Sequence, residues 1–544
     1  MKTRMLLLLT SIAASLPAQV TFDRILNANK EPQNWLTYSG SYMSQRHSQL
    51  TQITPANVQN LEMKWVFQAK APDPYETTPL VVDGVLYTAQ GDDVLALDAA
   101  TGRMFWIYRY TLSEGARFCC GRITRGLAIL GDKLFLATVD AHLVAIDAKT
   151  GHPLWDTTVA NAKAGYSFTL APLVIKDKVL VGTAGGEFGI RGFIAAYDAR
   201  TGKEAWRFNT IPGPGEKGHE TWTGDSWQHG GASAWLTGSY DPETNLTYWG
   251  VGNPGPDYNG DVRQGDNLYS CSVVALNADT GELKWHYQFT PHDEFDWDAV
   301  QMPVLADVTW QGRLRKVMLW ANRNAFFYVL DRTTGQFLLG KPFARQNWNV
   351  GFDEKGRPMV ASTAKSSAEG VLIYPGNQGA TNWFNPSYSP HTGLFYLSAW
   401  ENTATIFAKT DAVYKEGSSY TAGANRSNTP RVRAGMRAQQ EPNVRMEEDN
   451  YSAIRALDPQ TGERKWEFKM TDLTDGGILT TASDLLFTGG REGYFFALDA
   501  RNGALLWKAQ LGGPIQSGPM AYSVDGKQYV AVGAGTSLFV FGLR

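Results

Sequence analysis

The pattern of hydrophobic and polar positions repeats along the chain. Seven times an apolar strand runs into Asp or Asn, then a turn closed by Gly, and in six of the seven a Trp follows four residues later. The units run from Leu97-Asp98 to Trp106, Ile146-Asp147 to Trp155, Tyr197-Asp198 to Trp206, Leu276-Asn277 to Trp285, Leu330-Asp331 to Leu339, Leu457-Asp458 to Trp466 and Leu498-Asp499 to Trp507. In the fifth, Leu339 stands where the others have Trp. Each unit predicts a hairpin: the acid or amide caps the turn, the Gly supplies its left-handed corner, and the Trp returns to pack on the next unit.

Consecutive units are 49, 51, 79, 54, 127 and 41 residues apart, so two of them carry insertions. Those two also resemble each other. Trp235, Ser239, Tyr240, Pro242, Thr244, Leu246 and Tyr248 recur at identical spacing as Trp383, Ser387, Tyr388, Pro390, Thr392, Leu394 and Tyr396. The stretch near 410–450 is polar and rich in Arg, Ser and Gly, which predicts a long surface loop. Three last apolar runs, ending at Leu538-Phe539-Val540-Phe541, make an eighth unit without the turn. Its outer strand is expected from Trp65-Val66-Phe67, which closes a ring. The fold class is therefore all-β, an eight-bladed β-propeller of four-stranded blades formed as one domain over 19–544. The repeat tryptophans read as packing between blades, and a propeller by itself implies no activity.

Composition narrows the classes. The 544 residues carry a net charge of −3 with 43% hydrophobic residues, which excludes wholesale disorder and a dedicated nucleic-acid binder. Three cysteines cannot build a disulfide scaffold or a four-cysteine zinc site, and no CxxCH haem attachment occurs. At the N-terminus, Lys2 and Arg4 precede a short apolar run from Met5 to Leu9 and small residues up to Ala18. This predicts a signal peptide over 1–18, export to the periplasm, and a compartment in which disulfides are admissible. No later run approaches the ~18 apolar residues of a membrane span.

Four local features could carry chemistry. Cys119 and Cys120 are adjacent and can either close a small disulfide ring or remain two buried thiols. Cys271, within a strand pattern, reads as a buried free thiol. Gly250-Val251-Gly252-Asn253-Pro254-Gly255 matches a dinucleotide fingerprint in letters, but loop residues follow where a helix is required, so the nicotinamide reading is rejected. Glu187 and Asn253 lie at strand ends, and Asp296 and Asp298 are two apart, facing one side if that segment is extended. Oxygen donors from separate loops suit a hard cation, whereas each acid taken singly is better explained by a solvated turn or a cap.

Together these segments resemble the quinoprotein alcohol dehydrogenases of the methanol/ethanol family, over nearly the whole mature chain. The resemblance rests on Cys119-Cys120 with Arg125, Gly185-Gly186-Glu187-Phe188-Gly189, Gly230-Gly231 with Trp235, Gly252-Asn253-Pro254, Thr290 to Asp296, and Ala321-Asn322-Arg323-Asn324. It implies pyrroloquinoline quinone lying between Trp235 and a Cys119–Cys120 disulfide. It assigns the quinone's substituents to Glu76, Arg125, Thr169, the Ala184-Gly185-Gly186 backbone and Arg323, with Asn382 and Trp383 also lining it. It makes Glu187, Asn253 and Asp296 metal ligands, Asp296 the general base and Arg323 the stabiliser of developing charge on the quinone. Asp475 stands where relatives often have Trp or Asn. Asp298 resembles the lanthanide-dependent branch, and three acids match a lanthanide(III) ion better than Ca²⁺. The resemblance further implies a small alcohol as substrate and a separate cytochrome c as electron acceptor, with oligomeric state open, a homodimer included. The competing readings are a quinoprotein acting on sugars or other polyols and a non-catalytic propeller scaffold. The scaffold reading predicts neither the Cys pair nor the acidic set.

Overall fold

The computed structural model describes residues 19–427 and 450–544, so the expected signal peptide and residues 428–449 of the expected surface loop lie outside it. Eight antiparallel sheets follow one another around a central axis, spanning 80–109, 128–158, 173–209, 239–288, 304–342, 387–469, 479–510 and 520–543. In the first seven blades the four blade strands run in sequence order from a mostly buried inner strand to a more exposed outer strand. The eight-bladed propeller is thus the observed architecture.

The last blade closes as expected. Leu61–Gln68 pairs antiparallel with Ser537–Leu543, placing Trp65 opposite Val540 and Phe67 opposite Leu538. One strand has no signal in the repeat: His47–Ser48 pairs in parallel with the inner strand Leu479–Thr481 of the seventh blade.

The repeated turns form as the side chains dictate. Asp98 Oδ1 accepts from the Ala100 N–H (3.1 Å), the Thr101 N–H (2.9 Å) and the Thr101 hydroxyl (2.9 Å), which bends the chain back on itself. Gly102 takes the left-handed corner at φ +73°, and a Cβ there would lie 2.6 Å from the Trp65 ring. Glycine is needed twice over, for its backbone and for the neighbouring indole. The indoles of Trp65, Trp106, Trp155, Trp206, Trp285 and Trp466 each cover the turn of the following blade, and four donate Nε1–H to an alanine carbonyl: Trp65 to Ala99, Trp106 to Ala148, Trp206 to Ala278 and Trp466 to Ala500. Where Leu339 replaces Trp, Leu339 and Lys341 cover Gly462 instead, and a surface cleft of about 600 Å³ opens beside them.

The two similar insertions start from identical registers, Ser239 opposite Tyr248 and Ser387 opposite Tyr396. Each tyrosine hydroxyl reaches a carbonyl near the following blade's turn, Arg332 O at 2.8 Å and Ala500 O at 2.9 Å. The second insertion departs from the surface loop expected of it. Gly423–Ser427 pairs with Thr405–Lys409, which pairs with Val371–Ile373 in a three-stranded sheet outside the blades.

Antiparallel order has one consequence for function. The first and third connections of a blade emerge on one face of the propeller, and the second connection and the link to the next blade emerge on the other. The Asp-turn-Gly corners are third connections. Every site residue expected from the sequence lies on the opposite face, in a second connection or a blade-to-blade link.

Candidate active site

Two arginines organise this face. Arg125, in the link between the first two blades, is buried and pairs through Nη2 with Glu76 Oε2 at 2.8 Å, while Nη1 donates to Thr169 O at 3.2 Å. Its guanidinium carbon lies 5.1 Å from the Trp235 ring centroid and 4.4 Å from that of Trp383. Asn382 Oδ1 accepts from the Trp383 N–H at 2.8 Å, so these two residues steady each other. Thr169 also donates its hydroxyl to Trp235 O at 3.1 Å. Burial raises the Glu76 pKa, and the nearby Arg125 opposes that shift. Asp475 is ion-paired with Arg491 at 2.7 Å and also raises the Glu76 pKa through its charge.

Arg323 holds the acidic side. Its Nη2 meets Asp298 Oδ2 at 2.9 Å, and its Nη1 lies 3.5 Å from Asp296 Oδ1 while donating to Asp296 O at 2.7 Å. Asp298 also accepts from Trp235 Nε1 at 3.1 Å and from the Asn253 N–H at 3.0 Å. Room for that carboxylate depends on Gly252, where a Cβ would sit 2.2 Å from Asp298 Oδ1. Asp296 and Asp298 converge on one arginine for a reason the sequence reading had wrong. The segment is not extended: Asp296 sits at φ +61°, in a turn capped by Asp293 Oδ2, which accepts from the N–H groups of Phe295 and Trp297.

Glu187 follows the glycine pair, in a turn where Gly185 has φ +106° and a Cβ would lie 2.0 Å from Gly165 O. The Ala184 backbone is already engaged in both directions with Ser167. Cys119 and Cys120 form a disulfide, and their sulfurs lie within 4.8 Å of a Glu187 carboxylate oxygen and of each other. Cys271 is a buried free thiol, as expected.

Four carboxylates interact here, not three. Asp257 was read only as loop, yet it is buried and its Oδ1 accepts from Asn253 Nδ2 at 3.0 Å. Its pKa is pushed up to about 8, first by burial and then by the negative charge of Glu187, with Asp298 adding to it. Burial likewise raises Glu187, where the charge of Asp298 adds to the shift and Arg323 opposes it. Asp296 is raised well above the ordinary carboxylate value by burial, with Asp257, Asp298 and Glu187 adding to the shift against Arg323. Carboxylates that raise one another's pKa are short of positive charge, which a cation among them supplies. The donors are all oxygens, as a hard ion requires. On the Trp235 side, Arg125 Nε and Arg323 Nε are buried with no hydrogen-bond partner among the described residues. Unused donors beside an aromatic face fit a planar, anionic, oxygen-rich ligand.

The sequence reading also missed Tyr258, whose hydroxyl donates to Asp296 Oδ2 at 3.4 Å. Part of the second insertion reaches this site: the Tyr420 N–H donates to Glu187 O at 2.7 Å, and Tyr414 stacks on His229 with ring centroids 3.5 Å apart. The only sequence signal for Asp257 and Tyr258 is their nearness to Asn253; for Tyr420 there is none.

Comparisons with known proteins agree with this geometry. The family model labelled PQQ (the abbreviation of pyrroloquinoline quinone) and described as glucose/ethanol/alcohol dehydrogenase, β-propeller domain, matches residues 35–341 and 357–530. The quinohemoprotein alcohol dehydrogenase ADH-IIG of Pseudomonas putida is 40% identical over 552 residues, covering 96% of this chain and 75% of that protein. The quinoprotein alcohol dehydrogenase PedH of Pseudomonas putida is 37% identical, covering 96% of this chain and 90% of that one. Among solved structures, a europium-containing methanol dehydrogenase superposes with a TM-score of 0.87 at 33% identity, covering 96% of this chain and 100% of the other.

Proposed function

Because the chain belongs to the PQQ-dependent alcohol dehydrogenase family, we propose that it oxidises a primary alcohol of the methanol/ethanol type to the aldehyde. In this reading it works in the periplasm with one metal ion, a lanthanide(III) in preference to Ca²⁺, and passes electrons to a separate cytochrome c. The observation that carries the reading is the set of carboxylates around Arg323, flanked by the Trp235 ring and the Cys119–Cys120 disulfide.

The residues divide into three tasks. Arg125, with Glu76 and Thr169 beside it, supplies the charged edge for the quinone, and Trp235 offers a flat face on which a planar ring can stack. Glu187, Asn253, Asp296 and Asp298 would hold the metal through oxygen. Bound there, the quinone and metal would supply the hydride acceptor and Lewis acid that side chains cannot provide.

The remaining chemistry belongs to this chain. Asp296 accepts the hydroxyl proton of the alcohol: its side chain keeps 22% of its surface accessible within an otherwise enclosing site. Arg323 favours the ionised form that a proton acceptor must have. Arg323 then faces both Asp296 and the Trp235 ring, 5.9 Å away, where it can stabilise negative charge developing on a stacked ligand.

Two features support the metal preference. Asp298 adds a further carboxylate to the set, and a structural neighbour at 33% identity contains europium. Exchange between methanol and ethanol changes an apolar pocket by one methylene, worth only ~1–3 kcal/mol, so both alcohols are expected as substrates.

The test is reconstitution of metal- and quinone-free protein with PQQ plus La³⁺ or Ca²⁺, assayed with a dye acceptor against short alcohols and aldoses. Dye reduction by alcohols, stronger with La³⁺, is expected. Reduction by aldoses alone would transfer the reading to sugars, and no quinone absorption or dye reduction in any mixture would remove it. Asp298→Ala is expected to cut La³⁺-supported activity severely; unchanged activity and La³⁺ affinity would remove the lanthanide preference.

A further inference from the structure

Asp257 has no part in the ligand set just described, yet it touches it. Asn253 Nδ2 donates to Asp257 Oδ1 at 3.0 Å and lies 3.3 Å from Pro254 O, so both neighbours of this end of the amide are acceptors. That fixes which end carries nitrogen and leaves Asn253 Oδ1 as the side-chain atom free to meet a cation. The residue doing this is 3% exposed.

We propose that Asp257 is a positioning residue that biases the neighbouring cation site toward trivalent ions, by orienting the Asn253 amide and by adding a fourth negative charge. The proposal rests on the metal site assigned above. It also follows from the way the loops are tied together. Arg263, fully buried, donates to Pro256 O (3.2 Å from Nε), to Asp293 O (2.5 Å from Nη2) and to Asn267 Oδ1 (2.8 Å from Nη1). It therefore clamps the Asn253–Asp257 loop to the segment that carries Asp296 and Asp298. Among the described residues its hydrogen bonds go to carbonyl and amide oxygens and not to the Asp257 carboxylate. Coulomb energy scales with ionic charge, so one buried negative charge favours a trivalent over a divalent ion at the same position.

The experiment is equilibrium binding of La³⁺ and of Ca²⁺ to the metal-free full-length protein, for wild type, Asp257→Asn and Asp257→Ala, with folding checked by the thermal transition. Asp257→Asn keeps an acceptor oxygen for the Asn253 amide and removes only the charge. It is expected to lower La³⁺ affinity about tenfold or more and to reduce the La³⁺/Ca²⁺ affinity ratio. Asp257→Ala removes the charge and the acceptor and is expected to weaken both ions. An unchanged ratio in Asp257→Asn overturns the proposal, as does undiminished Ca²⁺ binding in Asp257→Ala. If Asp257→Ala does not fold, the near-isosteric Asn variant decides alone. A wild-type protein that binds neither ion overturns the metal-site assignment itself, an outcome distinct from an unchanged ratio.

Discussion

On one face of the propeller Trp106 covers the Gly151 turn and gives its Nε1 hydrogen to the Ala148 carbonyl. On the other, the Trp235 ring lies 5.1 Å from the guanidinium carbon of Arg125 and 5.9 Å from that of Arg323, and the indole gives its Nε1 hydrogen to Asp298. The first arrangement recurs around the ring with neutral partners and a glycine kept clear for the indole. The second occurs in a unique charged setting where two buried Nε–H groups go unused among the described residues. Repetition with neutral partners marks a scaffold, although Trp155 and Trp285 of that repeat also lack an Nε1 partner among the described residues; a singular cluster of like charges beside unused guanidinium donors marks a place built for something else.

The sharpest way to break this comparison is to remove the proton acceptor. Asp296→Asn is expected to lower kcat by about 10²–10⁴-fold with a thermal transition close to that of wild type, measured on protein loaded with quinone and metal. A matched fall in stability and activity would move Asp296 to the scaffold. Next come the tryptophans themselves. Trp106→Ala is expected to cost about 3–5 kcal/mol of stability by opening a cavity, with near-normal activity per folded molecule. Trp235→Ala is expected to cost less stability and to lose quinone retention, read from the absorption of the purified protein. If the two variants behave alike, the distinction between the faces fails.

A third consequence concerns pH. Asp257 is pushed up to about 8, and Glu187 and Asp296 are raised in the folded, metal-free protein. Raised carboxyl groups bind protons more tightly folded than unfolded, so their contribution is fully present below the unfolded pKa and is lost as pH rises through the folded value. Metal-free protein should therefore lose thermal stability between about pH 5 and about pH 8, and La³⁺ should raise Tm more at the upper end. A La³⁺ effect independent of pH would contradict the electrostatic account. The smallest effect is expected at the gap in the girdle. Leu339→Trp should fill part of the cleft beside Gly462 and add about 0.5–2 kcal/mol without changing activity, as followed by thermal denaturation.

The scaffold face was almost wholly legible in the sequence, because each turn is local: Asp98, Thr101 and Gly102 determine one another within five residues. The strand lent by Trp65-Val66-Phe67 was legible for a different reason, since a closed ring needs an outer strand for its last blade. The site was legible only in its ligand types. Which groups meet depends on contacts over long sequence separations, such as Arg323 with Asp298 or Tyr258 with Asp296. Asp257 escaped notice because an acid after proline in a loop looks solvated until the fold buries it. The Asp296–Asp298 spacing suggested the right pair through the wrong geometry, because alternation assumes an extended strand and Asp293 caps a turn there instead. The second insertion read as polar surface, but Tyr420 ties it to Glu187.

The measurement that bears most directly on the account is anomalous diffraction from a crystal of the protein loaded with PQQ and La³⁺. The account predicts one strong lanthanide peak at oxygen-bonding distance, about 2.3–2.6 Å, from Glu187, Asn253, Asp296 and Asp298, with the quinone on the Trp235 face. A peak elsewhere, or none in a crystal grown with both, would contradict it.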